Sequence, residues 1–118
     1  MCYQMIESTP RPDTGQIQLK KGALQLCVLA MLSRKESYAY EISSTLADAV
    51  GIGESTIYPL MRRMQKDGLV VSHLVETSSG PSRKYYRLTD AGQREFEKQK
   101  SGWGAFMTAV NEILGDTP

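Results

Sequence analysis

Between Ser55 and Leu88 the chain sets Arg62, Arg63, Lys66, Arg83, Lys84 and Arg87 against only Asp67 and Glu76. That is a local charge of +4, in a protein of 118 residues whose overall charge is +1. Cationic side chains at this density suit phosphate, because each phosphate they neutralise releases a counterion from duplex DNA. The first three sit in a stretch of helical period, in which Ile57, Leu60, Met61 and Met64 share one face. Ser55, Thr56, Arg62, Arg63 and Lys66 fall on its other faces. Ser55, Thr56 and Tyr58 lie near the helix start, the end that meets base edges in helix-turn-helix proteins. Arg83 and Lys84 follow Ser78, Ser79, Gly80 and Ser82, small residues that let a backbone come close to a phosphate. A recognition helix followed by a basic hairpin is the layout of a winged helix-turn-helix, so double-stranded DNA is the expected partner.

Other chemistries find little support. No nucleophile is paired with a histidine, and there is no glycine-rich phosphate loop, so neither an enzyme nor a cofactor is expected. His73 is the single histidine and has no second ligand at metal-binding spacing. Cys2 and Cys27 do not make a disulfide framework; Cys27 falls in an apolar helical pattern, as a small buried hydrophobe would. With 41% hydrophobic and 23% charged residues the composition is that of a globular domain. No apolar run approaches the roughly 20 residues that span a bilayer, and Ala23–Leu32 lies too far inside the chain for a secretory signal. The expectation is a cytoplasmic protein with no membrane partner.

The elements that must position these residues follow from period and punctuation. Residues 1–18, with Pro10, Pro12 and Gly15, read as a flexible arm. A first helix is expected from about Lys20 to Arg34, on Leu24, Cys27, Val28 and Met31, with Leu26, Leu29 and Leu32 widening its stripe. Ser37 is the expected cap of a second helix, Tyr38–Val50, carried by Ile42, Leu46 and Ala49 and stopped by Gly51. Ile52 can plug the crossing to the third helix, which opens near Gly53 or Ser55 and ends at Asp67–Gly68. Pro59 fits that helix best in its first turn, where amides lack partners anyway. Leu69–Glu76 and Arg83–Leu88 read as a two-stranded wing around a turn at Thr77–Ser82. Alternation sends one of Tyr85 and Tyr86 to the core and the other over the hairpin.

Thr89 is the expected cap of a last helix, with Asp90 well placed for its dipole. There Phe96, Trp103 and Val110 repeat every seven residues, beside Phe106, Met107, Ile113 and Leu114. A heptad seam on a terminal helix predicts a homodimer. Trp103 lies between Gly102 and Gly104, each costing about 1 kcal/mol relative to alanine in a helix interior. Two readings stand for it. It is a plain residue of the dimer core, or with Phe106 it lines a cleft where a flat aromatic effector stacks.

Several runs together resemble PadR-type transcriptional regulators: Tyr38-Ala39-Tyr40-Glu41-Ile42, Ser55-Thr56-Ile57-Tyr58-Pro59, Arg63 to Leu69, and Arg83-Lys84-Tyr85-Tyr86-Arg87-Leu88-Thr89. The resemblance covers about residues 20–114, and the single last helix is similar to that of the shorter subfamily. It implies a dimeric winged-helix repressor that binds a roughly palindromic operator and is released by a small molecule. It also implies DNA contacts at Ser55, Thr56, Tyr58, Arg62, Lys66, Arg83 and Lys84. Tyr38 and Tyr40 match the family pattern, as residues that touch the DNA backbone or brace the recognition helix. Some relatives that sense drugs carry a tryptophan at a point similar to Trp103. Gly53 departs from the family, where many relatives have a serine or asparagine cap.

The expected protein is therefore mainly α, a winged helix-turn-helix with a two-stranded β wing and a C-terminal dimerisation helix. Its expected parts are an arm (1–18), a DNA-binding domain (19–89) and the dimerisation helix (90–118). The DNA set is Tyr38, Tyr40, Ser55, Thr56, Tyr58, Arg62, Lys66, Ser82, Arg83 and Lys84. The dimer set is Phe96, Trp103, Phe106, Met107, Val110 and Ile113. The alternatives are a winged-helix module that meets an acidic protein, or a small-molecule sensor that does not act through DNA.

Overall fold

The computed structural model describes residues 14–115, with side chains from Gly22 onward. The elements run α1 (Thr14–Arg34), β1 (Ser37–Tyr38), α2 (Ala39–Val50), α3 (Glu54–Lys66), β2 (Val70–Thr77), β3 (Gly80–Leu88) and α4 (Asp90–Leu114). This is the expected mainly helical winged helix-turn-helix, with β2 and β3 as its two-stranded wing. A short third strand, β1, joins the wing at the free edge of β3, giving an antiparallel sheet in the order β1-β3-β2. Ser37 and Tyr38 pair with Tyr86 and Tyr85, tying the start of the helix-turn-helix to the wing.

One core holds these elements together. It is built from Leu24, Val28, Leu29 and Leu32 of α1, Ile42 and Leu46 of α2, and Ile57, Met61 and Met64 of α3. Ile52, Val70 and Tyr86 complete it. Gly51 ends α2 in the left-handed region at φ 73°, its amide bonded to Ala47 O, and Ile52 then turns inward as the plug. Gly68 (φ 78°) closes α3 in the same conformation. Its amide donates to Gln65 O at 3.1 Å and that of Leu69 to Met64 O at 2.9 Å, the paired bonds of a Schellman cap.

Several boundaries differ from the sequence reading. α1 starts at Thr14, so residues 14–18 of the expected arm are helical; Gln16, Gln18, Leu19, Lys20 and Lys21 are good helix formers despite their weak apolar period. Residues 1–13, with Cys2, lie outside the described residues. Ser37 does not cap α2: it is buried in β1, and Tyr38 takes the cap position without a side-chain bond. Pro59 is the sixth residue of α3 and not in its first turn, which leaves the Ser55 carbonyl without its helical partner. The wing is longer and its turn tighter. Thr77 pairs with Gly80, so the expected loop at Thr77–Ser82 shrinks to Ser78–Ser79 and Ser82 becomes a strand residue. Thr77 Oγ1 donates to Gly80 O at 2.9 Å and holds that tip.

Thr89 does cap α4, and does more. Its Oγ1 accepts from the Gly92 amide at 2.9 Å and donates to Gly68 O at 2.7 Å, while its own amide donates to Leu69 O at 3.0 Å. Gly92 is buried against that same Leu69 carbonyl, where a β-carbon would collide with backbone. Two outcomes follow. Gly92→Ala destabilises the fold by about 3 kcal/mol, since overpacking against backbone cannot relax through a rotamer. Thr89→Ala costs about 1–2 kcal/mol, the value of a lost helix cap. Urea titration of both variants checks this order; an alanine at 92 with wild-type stability would contradict the joint.

Candidate nucleic-acid interface

Burial of Ile57, Met61 and Met64 fixes how α3 is rolled. Ser55, Pro59, Arg62 and Lys66 recur at i, i+4, i+7 and i+11 on the opposite side, and all four are exposed. Tyr58 is half-buried at the edge of this stripe. Thr56 sits to the other side of the stripe: with Ser55, Pro59, Leu60 and Arg63 it lines a shallow groove of about 280 Å³ against Leu24 of α1. Of the expected DNA residues of the helix, Arg62 and Lys66 share the stripe with Ser55, Tyr58 flanks it, and Ser55 and Thr56 both border the groove. The first turn also carries Glu54, a carboxylate suited to the helix dipole but not to phosphate.

Tyr86 joins this helix to the wing. Burial raises its phenol pKa, the positive charge of Arg62 opposes the shift, and Tyr58 adds to it. Gln65 Nε2 donates to Ser72 Oγ at 3.3 Å and ties α3 to the strand opposite Tyr86.

Strand alternation then sorts the wing residues. Ser82, Lys84, Tyr86 and Leu88 share the face that looks toward the core and α3, and Arg83, Tyr85 and Arg87 share the outer face. Lys84 stands opposite Leu74, which is 68% exposed. Arg83 lies over the Tyr38 ring, its guanidinium carbon 4.5 Å from the centroid. Tyr38 also meets Tyr85 at 5.3 Å and Tyr40 at 6.5 Å between centroids. The structure thus brings Tyr38, Tyr40 and Arg83 together on one side of the wing, and Ser82 and Lys84 on the other. Sequence reasoning missed two members of the outer cluster, Glu36 and His73, whose Oε1 and Nε2 are 3.3 Å apart. Nothing in the residue pattern around Glu36 announces that pairing. Tyr85 and Tyr86 divide between the faces as expected.

The last helix presents the second candidate surface. Trp103 is 43% exposed, Phe106 61% and Ile113 84%, with Leu114 also open. Met107 and Val110 are half-buried beside an apolar groove of about 560 Å³, shared with Gly22 and Leu26 of α1 and with Gln99, Gly102, Trp103 and Phe106. Phe96 does not belong with this set: it packs on the domain core, with the Lys100 ammonium 5.7 Å from its ring. Gln99 Nε2 donates to Gln25 Oε1 and Glu95 Oε2, each at 2.7 Å, fastening α4 to α1 at the inner end of the groove. Burial raises the Cys27 thiol pKa and keeps it protonated. Among the described residues no group of His, Cys, Asp and Glu could hold a metal, and no helix is long and apolar enough to cross a membrane.

Comparison with known proteins fits this geometry. Residues 28–98 match the transcriptional regulator PadR-like family. A PadR-like transcriptional regulator from Bacillus cereus strain ATCC 14579 is 42% identical, with a TM-score of 0.75 over 82% of this chain and 96% of its own. A PadR family transcriptional regulator from Eggerthella lenta DSM 2243 is 34% identical, with a TM-score of 0.76 over 99% of both chains. A protein of Lysinibacillus sphaericus is 29% identical over 98 residues, 80% of this chain and 86% of that relative. With the winged helix-turn-helix, the basic recognition helix and these relatives in agreement, the chain belongs to the PadR-like family of transcriptional regulators, proteins that act on DNA and not as enzymes.

Proposed function

We propose that this regulator is a homodimeric repressor that binds a roughly palindromic operator in the cytoplasm and is released by a flat aromatic effector. The observation that carries the DNA reading is the exposed stripe of Ser55, Arg62 and Lys66 on α3, opposite its buried face. The Gln65–Ser72 hydrogen bond holds that helix against the wing strand that pairs with Tyr86 and Lys84. Ser55, Tyr58 and Arg62 then meet base edges and phosphates in the major groove, Lys66 meets the backbone, and Ser82 and Lys84 grip the flank. Thr56 faces α1 and supports the start of the helix.

Dimerisation through α4 follows from its open apolar surface. Trp103, Phe106, Ile113 and Leu114 are exposed among the described residues, and there a β-carbon at Gly102 or Gly104 would meet nothing within 4 Å. Small residues there serve close approach by a second copy. In such a dimer the two α3 helices enter successive major grooves about 34–36 Å apart. A flat effector seated at Trp103 and Phe106, in the groove between α4 and α1, alters that spacing. Its leverage is limited to its differential affinity for the two arrangements.

The first test is binding to the duplex that the wild-type protein recovers from a random-sequence pool. Arg62→Ala and Lys66→Ala each weaken binding and flatten the plot of log affinity against log salt by roughly 0.9. Unchanged binding in both variants defeats the DNA assignment. Sedimentation tests the assembly: Phe106→Glu and Ile113→Glu yield monomers where the wild type is a dimer, and a monomeric wild type rules the arrangement out. Trp103 is the chain's one tryptophan, so its emission reports the groove. A panel of flat aromatic compounds that leaves it unchanged removes the effector.

A further inference from the structure

The wing is joined to the helix-turn-helix by little backbone. Its strand link is a two-residue ladder, Ser37 with Tyr86 and Tyr38 with Tyr85. Beyond Tyr85 toward the tip, β3 pairs with β2 alone among the described residues. Arg83 stands two residues past Tyr85 on the same outer face, and its guanidinium lies 4.5 Å from the Tyr38 centroid. The stack carries the connection one step beyond the last backbone pair. Tyr38 is itself fixed between Tyr85, tilted at 52°, and Tyr40, stacked at 21°. On the opposite flank His73, paired with Tyr85, reaches across β3 to Glu36 at 3.3 Å. Two side-chain clasps therefore run from the β1 segment onto the two wing strands, both over the outer face. Lys84 and Ser82 project from the other face, the side of Tyr86 and of Ser72, which bonds to Gln65 of α3.

We propose that Arg83 is a positioning residue: stacked on Tyr38, it sets the angle of the wing, while the wing's phosphate contact falls to Lys84. This rests on the DNA reading above and reassigns one of its expected contacts. A guanidinium held 4.5 Å over the Tyr38 centroid is engaged with that ring, and leaving it for phosphate would give up the contact that orients the strand. An ammonium replaces it poorly, because a compact, strongly hydrated point charge offers the ring no planar face.

The two roles differ in salt dependence. With the selected duplex, Lys84→Ala lowers the salt slope by roughly 0.9, the share of one phosphate. Arg83→Ala and Tyr38→Leu weaken binding about threefold, the strength of an exposed cation–π contact, and leave the slope as it was. The double variant is no weaker than either single one, Tyr38→Phe keeps wild-type affinity, and Arg83→Lys loses affinity although its charge is kept. A slope that falls in Arg83→Ala as it does in Lys84→Ala overturns the proposal, as does full additivity with Tyr38→Leu. Amide hydrogen exchange provides a reading without DNA: Arg83→Ala speeds exchange at Tyr85 and Tyr86, and unchanged exchange there contradicts the brace. If the wild-type protein recovers no duplex, the DNA reading fails, and the exchange comparison still decides whether Arg83 holds the wing.

Discussion

The carbonyl of Leu69 is the point at which the recognition helix and the terminal helix are made one rigid body. Its oxygen accepts from the Thr89 amide at 3.0 Å and the Thr89 hydroxyl at 3.2 Å, and Gly92 presses against it. One residue upstream, the Gly68 carbonyl takes the same hydroxyl, just after the cap that closes α3. The C-terminus of α3 and the N-terminus of α4 therefore share a single knot of backbone bonds. A glycine is required at 92 because α4 approaches the Leu69 backbone too closely for any side chain, although its own backbone is ordinary helix. The joint between the end of α3 and the start of α4 is thus made by Gly68, Leu69, Thr89 and Gly92, none of which belongs to either candidate surface.

Electrostatics on the wing obeys the same economy of position. Six cations between Ser55 and Leu88 look like one patch in the sequence, but helix roll and strand pleat distribute them. Arg62 and Lys66 share the exposed stripe of α3, Arg63 turns toward α1, Lys84 faces the α3 side, and Arg83 and Arg87 take the outer face. Exposed ion pairs such as Lys35–Glu41 add little stability. On the proposed reading the cationic side chains serve what they meet outside the chain, and Arg83 serves the ring beneath it.

Much of this was legible in the residues. Glycine stops at Gly51 and Gly68, the Thr89 cap and the buried α3 face all follow from local chemistry that tertiary contacts reinforce. Three features were not. β1 is two residues long and exists only because β3 offers Ser37 and Tyr38 a free edge. Ser37 looks like a helix cap locally, but burial in the sheet claims it instead. The close approach at Gly92 joins residues far apart in the chain, and a lone glycine in a first helical turn says nothing of it. The split between Arg83 and Lys84 was available: the alternation that separates Tyr85 from Tyr86 separates them as well. Phe96 shows the reverse failure, since a seven-residue period cannot tell a partner's helix from the domain's own core.

Pro59 has a consequence for the reading end of α3. The amides of Thr56 and Ile57 both turn back to Gly53 O, at 3.1 and 3.3 Å, and the proline supplies no donor to the Ser55 carbonyl. The opening turn is thus held by one backbone bond fewer than an unbroken helix would give it. Such a turn unwinds locally at small free-energy cost while Met61 and Met64 keep the rest anchored. Ser55 and Tyr58 ride on a segment that can settle against grooves of differing shape, and the settling costs conformational entropy. On the proposed DNA reading, tolerance of base changes beneath that turn and a less favourable binding entropy are two faces of a single missing hydrogen.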